Sequence, residues 1–167
     1  EKGKSTVAAE TKLRALQKAD GSFARCPGMQ GDYYITLSVA EMLERSKGIM
    51  TKELKKALNW LDAKELESYR RQIEKKQPFA ISESTIHYLL LSARVGNNLS
   101  EEVKTMQQAY LKEIEKSALT LTNKREARRA AFSIYGVANL ADMFILQDKT
   151  KPADACLYHL KHYSVYR

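Results

Sequence analysis

The amino-acid sequence predicts an all-α protein made of stacked αα-hairpins. Three observations carry this expectation. Every strong periodicity along the chain is helical, and no segment alternates as a strand does. Helices with one polar face alternate with helices that are apolar nearly all the way round. The breaks between them fall at Asp20-Gly21, Gly48, Gln77-Pro78 and Gly96-Asn97-Asn98. A helix with one polar face belongs on the surface, and a helix without one needs neighbours on every side. The resulting outer-inner order is that of αα-hairpins, which close into an α/α toroid or extend into a solenoid.

The elements follow in order. The first outer helix is expected over about 6–18, with Val7, Leu13 and Leu16 turned inward, and Asp20-Gly21 ends it. Asp32 is a good N-cap for the first inner helix. There Tyr33, Tyr34, Ile35, Leu37, Val39, Ala40, Met42 and Leu43 leave little polar face, and Gly48 supplies a left-handed stop. The next outer helix begins after Thr51, and Leu54, Ala57, Leu58 and Leu61 keep the i, i+3, i+4, i+7 spacing. Asp62 and Glu65 have capping-box spacing, which predicts a restart into a short charged helix reaching about 76.

A second inner helix is expected over about 84–95, carrying Ile86, Tyr88, Leu89, Leu90 and Leu91. Ser100 caps an outer helix with the stripe Val103, Met106, Tyr110 and Ile114, and Glu101 and Glu102 suit its dipole. A third inner helix over about 124–146 is rich in small residues: Ala127, Ala130, Ala131, Gly136, Ala138 and Ala141. The last helix starts near Pro152 and ends about Tyr163. The inner helices begin near 32, 84 and 124, so the repeat is roughly 40–50 residues. About seven helices fall short of a full ring. The expectation is one helical domain over 1–167, an incomplete α/α toroid belonging to a larger, multidomain parent. Glu1 in place of Met fits such a processed or excised piece.

The chain carries a net charge of +8. Its basic residues are interspersed with acids: Lys52, Lys55 and Lys56 with Glu53; Arg70, Arg71, Lys75 and Lys76 with Glu65, Glu67 and Glu74. That pattern suits solvated outer faces, and nucleic acid is not expected as a partner. The one concentrated basic turn is Arg125, Arg128 and Arg129. Ala130 to Leu146 is the most apolar stretch, but Ser133, Asn139 and Asp142 interrupt it, so membrane insertion is not expected. Two cysteines, Cys26 and Cys156, make neither a disulfide framework nor a zinc site by spacing. Cys156, His159 and His162 lie a turn apart without a fourth ligand nearby, so no metal or other cofactor is assigned. His87, on an apolar helix, reads as a hydrogen-bonded core residue, and Cys26 as a loop thiol without a neighbouring group to activate it.

The segment Leu16-Gln17-x-x-Asp20-Gly21-Ser22-Phe23 resembles a motif that recurs in α/α toroids: terpenoid cyclases, protein prenyltransferases, and the thioester-containing domains of complement and alpha-2-macroglobulins. The Asp-Gly pair turns the chain between an outer and an inner helix, and the aromatic plugs the hairpin end. Downstream, the helix carrying Tyr33 and Thr36, followed by Ala57-Leu58-Asn59-Trp60-Leu61, is similar to the "T-x-x-V-x-x-x-L" and "A-L-x-W-L" helices of the alpha-2-macroglobulin family. The resemblance covers about 13–61; beyond it only the helical pattern agrees.

The resemblance implies a non-catalytic domain of a bacterial protease-trapping inhibitor, periplasmic or tethered to the envelope. Its partners would be sibling domains of the parent chain and host or competitor proteases. The family's Cys-Gly-Glu-Gln thioester lies upstream of the Asp-Gly turn. Cys26-Pro27-Gly28-Met29-Gln30 only imitates it, being one residue too long, without the Glu, and after the turn. The acidic clusters of terpenoid cyclases are missing, and Asp154, Cys156 and His159 are spaced too compactly for the prenyltransferase zinc pattern. Two other classes remain: an α/α-toroid enzyme acting on polysaccharide, and a helical solenoid adaptor binding protein or RNA. Inner helices deprived of neighbours predict an exposed apolar patch, and dimerisation through that edge.

Overall fold

The computed structural model describes residues 2–46, 48, 50–79, 81–127 and 132–163, and among these it is all-α, without a strand. Packing divides the chain into two compact units, 1–68 and 69–167. The boundary falls within one continuous helix.

The first unit contains α1 (Lys2–Leu16), α2 (Tyr33–Arg45) and most of α3 (Thr51–Glu74). Asp32 caps α2 by accepting the Ile35 N–H at 3.0 Å. The stripe Leu54, Ala57, Leu58 and Leu61 of α3 is buried, as are Leu37, Ala40 and Leu43 of α2. Gly48 has the expected positive φ of 94°. Three expectations fail. α3 does not restart at Asp62; it runs unbroken from Thr51 to Glu74. Asp62 and Glu65 lie on its buried face, where Glu65 accepts a hydrogen bond from the Tyr33 hydroxyl. Tertiary use of the carboxylate thus replaces the local cap. α2 is also not enclosed on every side, because Tyr34 and Met42 are exposed. In α1, Leu13 is half-buried while Val7 and Leu16 are exposed, so the predicted inward stripe is weak there.

The second unit holds the end of α3, then α4 (Glu83–Val95), α5 (Glu101–Leu119), a 3-10 turn (Thr120–Thr122), α6 (Lys124–Ala127), α7 (Ile134–Leu146) and α8 (Thr150–Tyr163). Ser82, Ser100 and Ser133 each cap a helix with the side-chain oxygen, and Gly96 ends α4 in the left-handed conformation. The predicted helix over 124–146 is therefore two helices. Ser133 is an N-cap that opens α7, not a polar interruption within one helix. Of the small residues expected there, Ala130 and Ala131 lie outside the described residues, as do Arg128 and Arg129.

α4 and α7 pack side by side and run the same way. The Ser133 N–H donates to Glu83 Oε1 at 2.7 Å where both begin, His87 Nε2 meets Asn139 Nδ2 at 3.2 Å midway, and Arg94 pairs with Asp142 towards the end. α5 returns along α4, with Gln107 Nε2 donating to Tyr88 Oη and Ser92 Oγ, each at 3.0 Å. α8 returns along α7 and packs against α5, and Lys149, in the turn just before α8, meets Glu115 of α5 at 2.7 Å. Two inner helices in parallel, each followed by an outer helix, are two stacked αα-hairpins. Their core is Ile86, Tyr88, Met106, Tyr110, Ile114, Leu121, Leu140 and Phe144, all at 2% exposure or less.

Candidate functional site

The motif residues of the first unit form one hydrogen-bonded knot at the end of α1. The turn is closed by the Gly21 N–H to Lys18 O at 2.9 Å and the Lys18 N–H to Ser22 O at 2.9 Å. Asp20 Oδ1 accepts both the Ser22 N–H at 3.0 Å and the Ser22 hydroxyl at 2.6 Å. These bonds favour the charged carboxylate. Chiefly the Ser22 hydroxyl, with smaller help from the Ser22 N–H, Lys18 and Trp60, holds Asp20 below its ordinary value. Gln17 Nε2 then staples the turn to α3, donating to Gly21 O at 3.0 Å and Glu53 O at 2.9 Å.

Two glycines make the close approach possible. Gly21 has φ +93°, and a Cβ there would sit 2.3 Å from the Lys56 carbonyl oxygen of α3. Gly31 lies against Ser22 and Trp60; a Cβ would meet Ser22 Oγ at 2.1 Å. Phe23 is buried beneath the turn, and its backbone is used at both ends. Its N–H donates to Thr36 Oγ1 at 2.9 Å and its carbonyl accepts the Asp32 N–H at 2.8 Å. The Thr36 hydroxyl donates onward to Asp32 O at 2.7 Å. Asp32 is itself held below its ordinary value, first by the Ile35 N–H and then by Arg25.

Gln17, Asp20, Gly21, Ser22, Phe23, Thr36 and Trp60 are thus brought together. Leu16 is exposed, and Tyr33 is directed to Glu65 instead. Gly31 takes part unannounced by the sequence, since a glycine needed only for close approach gives no local signal.

Cys26 is exposed in the loop that follows the Asp20-Gly21 turn, and Cys156 is buried in α8; both are free thiols. Burial pushes the Cys156 thiol up to about 12, which leaves little thiolate at neutral pH. Among the described residues no three His, Cys, Asp or Glu side chains gather as a metal site. No described helix is long and apolar enough to cross a membrane. The second unit has an open cleft of about 470 Å³ lined by Phe79, Ile81, Ser82, Glu113, Ile114, Ser117 and Phe132. Among the described residues its lining carries one carboxylate, Glu113.

No family model, curated protein or solved structure matches this chain.

Proposed function

We propose that this chain is a non-catalytic interaction domain of an alpha-2-macroglobulin-like protease trap, one section of an α/α toroid that works through contacts with sibling domains. The observation that carries the proposal is the knot. Seven of the residues that resemble the family motif, Gln17, Asp20, Gly21, Ser22, Phe23, Thr36 and Trp60, converge at the end of α1, and their polar groups are turned onto the chain itself. Asp20, Ser22, Gln17 and Thr36 satisfy backbone and neighbouring side chains of the turn, α2 and α3. A motif used in this way supports a structural role and offers a substrate no poised acid, base or nucleophile. In this account the parent is a bacterial periplasmic or envelope-tethered inhibitor. Proteases are engulfed by the whole molecule, and this domain helps to set the shape of the closed form.

Trapping has a distinctive readout, because a caged protease keeps its active site but loses access to large substrates. The natural polypeptide containing this chain is incubated with trypsin, then assayed with a small chromogenic peptide and with casein. The proposal expects peptide cleavage to persist while casein cleavage is lost. Equal cleavage of both substrates would contradict it.

A further inference from the structure

The sequence contains one Asp-Gly pair, Asp20-Gly21, and no Asn-Gly pair. Asp-Gly is among the dipeptides most prone to spontaneous isomerisation, because glycine places no Cβ beside the attacking nitrogen. In that reaction the Gly21 nitrogen gives up its proton and bonds to Asp20 Cγ. A Cγ–O bond breaks, and the oxygen leaves as water with that proton and the carboxyl proton. A second water then opens the five-membered succinimide. Opening at Cγ restores Asp20. Opening at the Asp20 main-chain carbonyl leaves an isoaspartyl residue, with the backbone running through Cγ and one methylene longer. Nothing beyond water is consumed.

The knot restrains both reacting groups. Gly21 is fixed through its N–H, which donates to Lys18 O at 2.9 Å, and through its carbonyl, which accepts from Gln17 Nε2 at 3.0 Å. It is packed so closely on the Lys56 carbonyl of α3 that even a Cβ has no room. On the other side, Asp20 Oδ1 is held by the Ser22 N–H at 3.0 Å and the Ser22 hydroxyl at 2.6 Å, and Ser22 is fully buried. These donors keep the carboxyl charged, whereas loss of water from Cγ needs the neutral acid. Cyclisation therefore requires the turn to open, and its native rate is the unfolded rate multiplied by the open fraction. The product does not fit the same frame. An isoaspartyl residue lengthens the turn and moves the free carboxylate onto Cα. The bonds of Gly21 to Lys18, and of Ser22 to the carboxylate, then lose their register.

We infer that Asp20-Gly21 is a covalent modification site held shut by the knot: it isomerises only when the first unit opens, and the isoaspartyl product keeps that unit from refolding. The 167-residue chain is held in native buffer and in urea at neutral pH. Isoaspartate at residue 20 is followed by peptide mapping with a protease that cuts before Asp and not before isoaspartate. In urea the cut at residue 20 should be lost steadily, and in native buffer at least about tenfold more slowly. Ser22→Ala removes the hydroxyl donor to Asp20 and should speed the native reaction about fivefold, with the rate in urea unchanged. Gln17→Ala, which loosens the turn from α3 and leaves Ser22 in place, should act in the same direction. Trp60 fluorescence checks that each variant is folded. Once urea is removed, unmodified chains should recover their native Trp60 fluorescence and isomerised chains should not. Equal rates in buffer and urea, or no isomerisation in urea, would overturn the inference. So would folded variants that react no faster than the wild type, or isomerised chains that refold fully.

Discussion

Replacing single glycines in the first unit separates two costs that usually occur together. Gly28 has φ +85° and nothing within 4 Å of an added Cβ, so Gly28→Ala meets only the backbone penalty. For an L-residue the left-handed region costs roughly 1–2 kcal/mol, offset by about 0.4–1 kcal/mol from the stiffer unfolded chain. A net loss between about 0 and 1.6 kcal/mol follows. Gly31 has the opposite problem: no positive φ, but a Cβ 2.1 Å from Ser22 Oγ and 2.5 Å from Ser22 Cβ. Ser22 must move and lose its bond to Asp20, a cost of about 2–3 kcal/mol. Gly21→Ala suffers both, and its clash is with the backbone of α3, at 2.3 Å from the Lys56 oxygen and 2.7 Å from its carbon. A helix backbone cannot rotate aside, so the loss should reach about 3–5 kcal/mol. Trp60, the sole tryptophan, sits in the knot, and its fluorescence during urea unfolding reports the first unit directly. The expected order of destabilisation is Gly28→Ala, then Gly31→Ala, then Gly21→Ala. Equal losses for Gly21→Ala and Gly28→Ala would refute the close approach of turn and helix.

Three further predictions concern the same groups. Thr36→Val keeps the shape but leaves the Phe23 N–H buried without its acceptor, and should cost about 1–3 kcal/mol by the same fluorescence assay. Asp20 is held below its ordinary value of 3.8, so its contribution to stability is complete above that pH and fades as pH falls through the folded value. Asp20→Asn should therefore lower stability near neutrality and flatten the acid limb; an unchanged acid limb would remove Asp20 from the account. A thiol reagent at pH 8 should modify Cys26 rapidly and Cys156 only on unfolding, since one is exposed and the other is buried and raised to about 12. Two fast equivalents would contradict that burial.

The helix ends were the most legible part of the sequence. Asp32, Ser100 and Gly96 act where their chemistry predicts, because a cap is a local bargain between a residue and its own backbone, whereas α2 ends at Arg45 on a Ser46 cap and Gly48 follows only beyond it. The amphipathic stripes of α3 and α5 were equally plain, and every residue named in them is buried. What escaped was decided by distant partners. Asp62 and Glu65 look like a cap until Tyr33 claims Glu65, and α3 then continues through them. Ser133 looks like a blemish in one long helix, yet it opens α7, with Glu83 of α4 accepting its N–H. Helices α2 and α7 are apolar over most of their surface without being covered over all of it, since composition records what a face prefers and not whether a neighbour is there. At the knot, the turn residues were recognisable, but the need for glycine at 31 arises only when Ser22 and Trp60 close upon it.

Sedimentation of the natural polypeptide with and without a bound protease tests the proposed function most directly. A trap built on this domain should carry the protease with it and sediment as a more compact particle than the free polypeptide. A protease that sediments separately, leaving the polypeptide cleaved but no more compact, would contradict the account.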